Sequence, residues 1–293
     1  MPRHVASKSV TRGPAMKIRR FPNNIVLTAC LVTLGCGSKA AKESSGPFRI
    51  IATDTGFEAP KEVPAGVRHI LFENRGTQIH EAMLVKLPDN LNPDQYVAAV
   101  KAGSFFPKGA LDYSWPGLTS PGESVEMWVR IDPGNYIIIC WNLGHATRIP
   151  VHPFIVTYAI SEDPVPKEDV VLKLLDYRFE IEGSLLKGEH VIRIETPGPS
   201  MHEMDIFRLY EGKTIADVKR WRKEDAGGPA PGVAIGGVLD SHDPKRVVWL
   251  RKNFSPGRYV FHCEMPVTTN SEPNNQEITH ADVGMSKEVE ISE

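Results

Sequence analysis

The residues best suited to chemistry lie near the C-terminus, in the stretch 256–285. Cys263 closes an alternating, strand-like run that starts from the Pro256-Gly257 pair, and His280 and Met285 follow on neighbouring loops. Gly284 stands immediately before the thioether, where the backbone must turn tightly. One thiol, one imidazole and one thioether, joined by a second imidazole from elsewhere, form the ligand set of a blue-copper site. The thiolate donates strongly to Cu(II), two neutral imidazoles complete a trigonal plane that serves both oxidation states, and a weak axial thioether tunes the potential. His202, in the run Gly-Pro-Ser-Met-His-Glu, is the candidate for the second imidazole. Met201 and Met265 are further sulfurs that could act as the axial donor. His262, beside Cys263 on a strand, points to the opposite face and is not expected to bind.

Taken singly, each residue has a plainer use. A buried Cys is usually a small core hydrophobe, a Met fills the core, and a His before a Glu is a solvent-facing strand end. The set carries the inference, not its members. The segment resembles the C-terminal half of a cupredoxin, the family of plastocyanin and azurin. There a Tyr-x-x-x-Cys strand, here Tyr259 to Cys263, leads to a His-x-x-x-Gly-Met loop, here His280 to Met285. The resemblance implies one type 1 copper held by His202, Cys263 and His280 with Met285 axial, and a role in one-electron transfer. It departs from the family in one respect. Cys263 and His280 are 17 residues apart, longer than in plastocyanin-like loops, and the polar insert 267–279 must loop out over the site.

The chain repeats itself. Phe57-Glu58 recurs as Phe179-Glu180, and the run 76–87 (GTQIHEAMLVKL) as 198–209 (GPSMHEMDIFRL), both shifted by 122 residues. Met127-Trp128-Val129-Arg130 returns as Val248-Trp249-Leu250-Arg251 with a shift of 121, and the Pro-Gly-x-Tyr-x-x-x-Cys run ending at Cys140 returns at Cys263 with a shift of 123. A second site in the first copy would use His80, Cys140 and either His145 or His152. His152 lies where the family's loop histidine would fall. Thr157 then stands where the second copy has Met285, so the thioether is missing, and the first site is expected to have decayed to a structural remnant. A Cys140–Cys263 disulfide is the competing use of the thiols; their equivalent places in separate repeats argue against it.

The elements that must position these residues read as strands. Segments 67–73, 190–195, 125–131 and 247–251 alternate apolar and polar residues, as half-buried strands do, and 136–140 is a nearly continuous apolar run. One helix per copy is predicted, over 93–102 and 214–224, with Thr214 capping the second and its basic run forming a solvated face. Short strands separated by Pro-Gly turns predict an all-β protein of two tandem Greek-key β-sandwich, cupredoxin-like domains, 47–162 and 167–293, each with a short inserted helix. Residues 162–167, with Pro164 and Pro166, are the expected linker.

The N-terminus reads as an export signal. Lys17, Arg19 and Arg20 flank the short apolar run 25–35, too short to span a bilayer well, and Cys36 follows. Residues 1–36 are read as a lipoprotein-type signal with Cys36 the lipidated residue, Met16 an alternative start, and 37–46 a polar tether. Cys30 sits in a better-matching cleavage motif but leaves too little apolar run before it. An ordinary secretory signal with incidental cysteines is the bland alternative. The expected location is extracytoplasmic, periplasmic or cell-surface, with the membrane reached through a lipid anchor. A formal net charge of −2 in 293 residues gives nucleic acid no reason to bind.

No His-x-His pair of the kind that builds trinuclear copper clusters occurs, nor the paired cysteines of a binuclear copper centre. Gly-x-Ser-x-Gly and His-Glu-x-x-His motifs are also absent. The leading expectation is therefore an electron carrier, not an enzyme, holding one copper, or two if the first copy also binds, and passing electrons to unknown redox partner proteins. A copper-binding or metal-free interaction lipoprotein is the alternative, and a nitrite-reductase-like copper oxidoreductase, using single histidines such as His69, His145 or His242, a minor one.

Overall fold

The computed structural model describes residues 46–104, 107–148, 150–223, 228–239, 246–267 and 278–293. The export signal, Cys36, all of the tether but Gly46, His242 and most of the insert between Cys263 and His280 lie outside the described residues.

The same eight strands and one helix occur twice in the same order. The first repeat contains β1 (Phe48–Thr53), β2 (Gly56–Glu58), β3 (Glu62–Asn74), β4 (Met83–Leu87), α1 (Pro93–Lys101), β5 (Leu111–Ser114), β6 (Ser124–Ile131), β7 (Gly134–Ile139) and β8 (His152–Ile160). The second contains β9 (Val170–Leu175), β10 (Arg178–Glu182), β11 (Gly188–Glu195), β12 (Glu203–Leu209), α2 (Ile215–Lys223), β13 (Gly232–Leu239), β14 (Val248–Phe254), β15 (Gly257–His262) and β16 (Ser286–Ile291). In the first repeat β2-β1-β3-β6 and β8-β7-β4-β5 are joined where the start of β3 pairs parallel with β8, and in the second β10-β9-β11-β14 and β13-β12-β15-β16 belong to separate sheets. β1 runs parallel to β3 and β9 parallel to β11, while most other pairs are antiparallel. β3 alternates buried and half-exposed residues along most of its length, whereas β4 and β7 are buried almost throughout. Alternation is the mark of a strand with one face on the core, and a continuous apolar run that of a strand covered on both faces.

Local chemistry explains the helix starts. Asn92 caps α1: its side chain accepts the Gln95 N–H while the Gln95 side chain accepts the Asn92 N–H, and Pro93 occupies the first turn, where its missing N–H costs nothing. At α2, the Thr214 N–H and hydroxyl both bond the Asp217 carboxylate. The expected solvated face of α2 needs one correction. Arg222 turns inward, its guanidinium 3.5 Å from Glu203 and 3.6 Å from Asp205. Two buried carboxylates need a cation more than the helix needs a polar face.

The two sandwiches are joined edge to edge. β14 pairs antiparallel with β6, placing Trp249 opposite Trp128 and Leu250 opposite Met127, so that one sheet runs from β10 through both repeats. Each of these strands would otherwise be an open edge. Beside this seam a Cβ on Gly117 would come within 2.2 Å of Gly237 N, and one on Gly237 within 1.7 Å of Met204 O. Gly117 has φ +77°, a second reason for glycine there. Residues 161–169 carry no strand, as the prolines require, yet the segment is tied down. Asp163 accepts the His69 N–H at 2.7 Å and forms a buried ion pair with Arg68, and Glu162 accepts the Val67 N–H.

Candidate metal centres

Each sandwich gathers a thiol and two imidazoles, all buried, at the ends of corresponding strands. In the second repeat the cluster is His202, Cys263 and His280; in the first it is His80, Cys140 and His145, and in each the candidate ligand atoms lie within 4.8 Å of one another. His202 precedes β12 and Cys263 follows β15, and these strands are paired through Asp205 and His262. His80 precedes β4 and Cys140 follows β7, paired through Met83 and Ile139. Residues 60 or 61 positions apart in sequence therefore meet because neighbouring antiparallel strands end together.

In the second repeat His202 Nδ1 is 3.0 Å from His280 Nδ1, and Cys263 Sγ is 3.5 Å from His280 Nδ1. Backbone bonds fix the returning loop. The His280 N–H donates to Met265 O at 2.8 Å and the Ala281 N–H to Cys263 O at 2.9 Å. The Cys263 N–H donates to Met285 O at 3.1 Å and the Met285 N–H to His280 O at 2.8 Å. Met285 is fully buried, follows Gly284 at φ +124°, and is bonded through its backbone to two members of the cluster. Of the other sulfurs, Met265 is buried and Met201 half-buried. His262 takes no part: its ring nitrogens face Glu264 and Ser286.

In the first repeat Cys140 Sγ is 3.4 Å from His145 Nδ1 and 3.8 Å from His80 Nδ1. The second imidazole is His145, not His152. His145 lies on a 3-10 segment, Asn142–Thr147, that turns back immediately after Cys140. His152 has already entered β8, where it pairs with Ile138, and the strand carries it away from the cluster. Pro150, five residues after His145, is exposed, and no methionine occurs between Cys140 and the end of β8. The thioether is thus absent, as expected, but three donors remain assembled, which a site decayed to a remnant would not require. Cys140 and Cys263 are both free thiols.

Two pairs of acidic residues complete the centres. Asp54 Oδ1 lies 2.9 Å from His80 Nε2, and Asp176 Oδ1 lies 3.0 Å from His202 Nε2. Hydrogen bonds hold both carboxyls below their ordinary range: for Asp54 chiefly those from His80 and Thr77, and for Asp176 those from His202 and Ser200, against a desolvation that acts the other way. An ionised carboxylate only accepts, so Nε2 carries the ring proton and Nδ1 keeps its lone pair, turned toward Cys140 Sγ in the first repeat and toward His280 Nδ1 in the second. His145 Nε2 faces Gln78 Oε1 in the same sense, at 3.1 Å. A Cβ on Gly76 would sit 2.4 Å from Asp54 Oδ1, and one on Gly198 2.8 Å from Asp176 Oδ1, so glycine gives each aspartate its place.

Glu81 and Glu203, next to the strand-end histidines, are buried, not solvent-facing as a lone strand end would be. Glu81 accepts the Trp141 N–H at 2.6 Å and Glu203 the Glu264 N–H at 2.8 Å, each capping the residue after the cysteine. Burial pushes both carboxyls up to about 8.

Burial also raises both thiols, reinforced by the neighbouring glutamates, and lowers His202 and His280, the latter to about 4. The free protein therefore holds neutral thiols in both clusters and neutral imidazoles at His202 and His280. A cation that displaces the thiol proton gains a thiolate and two lone pairs already aimed at one point, which is the donor chemistry of copper sites of the blue type.

Both sandwiches have the cupredoxin-like fold. The strand order, the donors at one end and the late loop returning to the thiol establish it for each repeat. No protein-family model matches the chain, and no curated protein matches it. Among solved structures, auracyanin A, a "blue" copper protein from Chloroflexus aurantiacus, aligns at 24% identity over 38% of this chain and 100% of that one, with TM-score 0.28. Reduced auracyanin from Roseiflexus castenholzii aligns at 22% identity over 40% and 95%, with TM-score 0.24. A blue copper oxidase from Nitrosomonas europaea aligns at 15% identity over 84% and 85%, again with TM-score 0.24.

Asp54 and Asp176 carry no motif that marks them as partners of the histidines. They stand 122 residues apart, the same shift as the histidines they orient, and that shift was the available signal. The buried state of Glu81 and Glu203 has no local sign in the sequence, since a His-Glu pair at a strand end looks alike exposed or buried.

Proposed function

We propose that this chain is an extracytoplasmic type 1 copper protein that carries single electrons between partner proteins. The observation that supports this most is the cluster of His202, Cys263 and His280, buried and pre-aimed by Asp176, with Met285 beside it in the backbone network. Met285 is the axial donor in this reading. Pre-organisation suits electron transfer, because a cage that holds its shape in both oxidation states leaves little to rearrange. The same chemistry gives the first repeat a second, three-donor copper site through His80, Cys140 and His145, without a thioether. Export and a lipid anchor at Cys36 belong to the proposal on the strength of the N-terminal sequence; among the described residues no helix is long and apolar enough to cross a membrane.

The deciding experiment is Cu(II) titration of the soluble part, residues 45–293, followed by visible absorption and EPR. An intense thiolate-to-copper band is expected, and Cys263→Ser should remove the second repeat's share of it while the fold persists. A colourless protein would leave a metal-free interaction module as the better reading. Membrane fractionation tests the anchor separately: Cys36→Ser should release the full chain, and retention would end the lipoprotein assignment.

A further inference from the structure

The two clusters are not independent, because a short buried network crosses the seam between them. His80 and Thr119 exchange both backbone hydrogen bonds, at 3.1 and 2.8 Å. The next residue, Leu118, donates its N–H across the seam to Asp205 Oδ1 at 2.9 Å. Asp205 stands three residues after His202 on the same strand, and two after Glu203, whose N–H points at Cys263 Sγ from 3.4 Å. Three hydrogen-bonded steps and short covalent stretches thus join the first repeat's histidine to the second repeat's thiol. Leu118, Thr119 and Asp205 are all fully buried. Arg222 lies against Asp205 and Glu203, and its charge also reaches Glu81 of the first repeat. A structural seam between two sandwiches does not need a carboxylate at this point; apolar packing would serve it at lower cost.

We infer that this network is a route for electron exchange between the two centres, making the chain a two-site relay and not a single carrier. The inference rests on the copper reading above, extended to both clusters. With copper in both sites, one electron would pass from Cu(I) in one, leaving Cu(II), to Cu(II) in the other, giving Cu(I); no bond in the protein would form or break and no proton would move. The direction follows from the ligands. Compared with an axial position that has no donor, a thioether favours Cu(II), and the loop after Cys140 has no methionine, so the electron comes to rest at the His80–Cys140–His145 site.

The test uses the full chain loaded with copper at both sites, the two ions distinguished by their EPR and visible spectra. After reduction by less than one electron per chain with a short radiolytic pulse, the second site's signal should recover while the first site's fades, at a rate independent of protein concentration. Asp205→Leu removes the acceptor of the Leu118 N–H and should slow the exchange at least tenfold with the copper count unchanged. Asp205→Asn keeps an acceptor and should restore most of the rate. A rate proportional to protein concentration, or equal rates in Asp205→Leu and the parent, would overturn the relay. Should Asp205→Leu not fold, the concentration dependence of the parent decides alone. If only one copper binds, at the second repeat, the relay falls while the carrier reading stands; if none binds, both fall.

Discussion

A carboxylate behind each strand-end histidine decides which ring nitrogen is turned toward the other donors. Asp176 fixes the His202 tautomer, so Asp176→Ala frees the ring to rotate and to protonate at either nitrogen. Copper affinity at the second site should fall roughly 10–100-fold, as losses of such supporting partners do, with the thiolate band still present at saturation. Competition titration against a chelator measures this; unchanged affinity would mean that packing alone holds the ring. Met285→Leu should keep the band and raise the reduction potential in voltammetry, because a donor that favours Cu(II) is removed. An unchanged potential would take the axial role from Met285. The cysteines and the strand-end histidines were legible because they sit in runs that recur at a nearly constant shift. The second imidazole of the first repeat was not. The repeats diverge where the loops differ, 5 residues from Cys140 to His145 against 17 from Cys263 to His280, so the shift fails for this ligand. Strand propensity after Pro150 carries His152 into β8, and only the turn 142–147 could have marked His145.

At the scale of elements, alternation and Pro-Gly turns located most strands, and the pairing of the repeats' edges was what they could not convey. β6 and β14 look like ordinary half-buried strands because a neighbour from the other repeat satisfies the edge as a neighbour from the same repeat would. Lys252 on β14 records the consequence. It is buried, donates to Ser124 O across the seam at 2.8 Å, and desolvation lowers its pKa from 10.5 to about 8. The folded form therefore binds fewer protons than the unfolded chain between about pH 8 and 10.5, so this group makes stability rise with pH through that window. Below about pH 8 the buried charge is a standing cost. Lys252→Met should flatten that slope in denaturation curves at pH 7.5, 9 and 10, which run from just below the lowered value to just below the ordinary one. A slope identical to the parent's would show that Lys252 does not titrate across the seam.

For the whole molecule, the shared sheet means that neither repeat has a complete surface of its own. Duplicated domains on a flexible linker would unfold separately, but here β14 lies on β6, Asp205 holds Leu118, and the segment 161–169 is bonded back onto β3. One cooperative transition is therefore expected for the copper-free chain, with calorimetric and van't Hoff enthalpies equal. The glycines at the seam set how close the repeats can come. Gly117→Ala places a Cβ 2.2 Å from Gly237 N of the other repeat, a contact that backbone on both sides must move to relieve, and the overpacking should cost about 1–3 kcal/mol. Its effect should exceed that loss of stability in one telling way. If the seam is what couples the repeats, the variant's calorimetric trace should broaden or split as the sandwiches begin to melt apart. A lowered but still single and sharp transition would show that the coupling resides in the buried network around Asp205 and Arg222, and that the sheet continuity merely accompanies it.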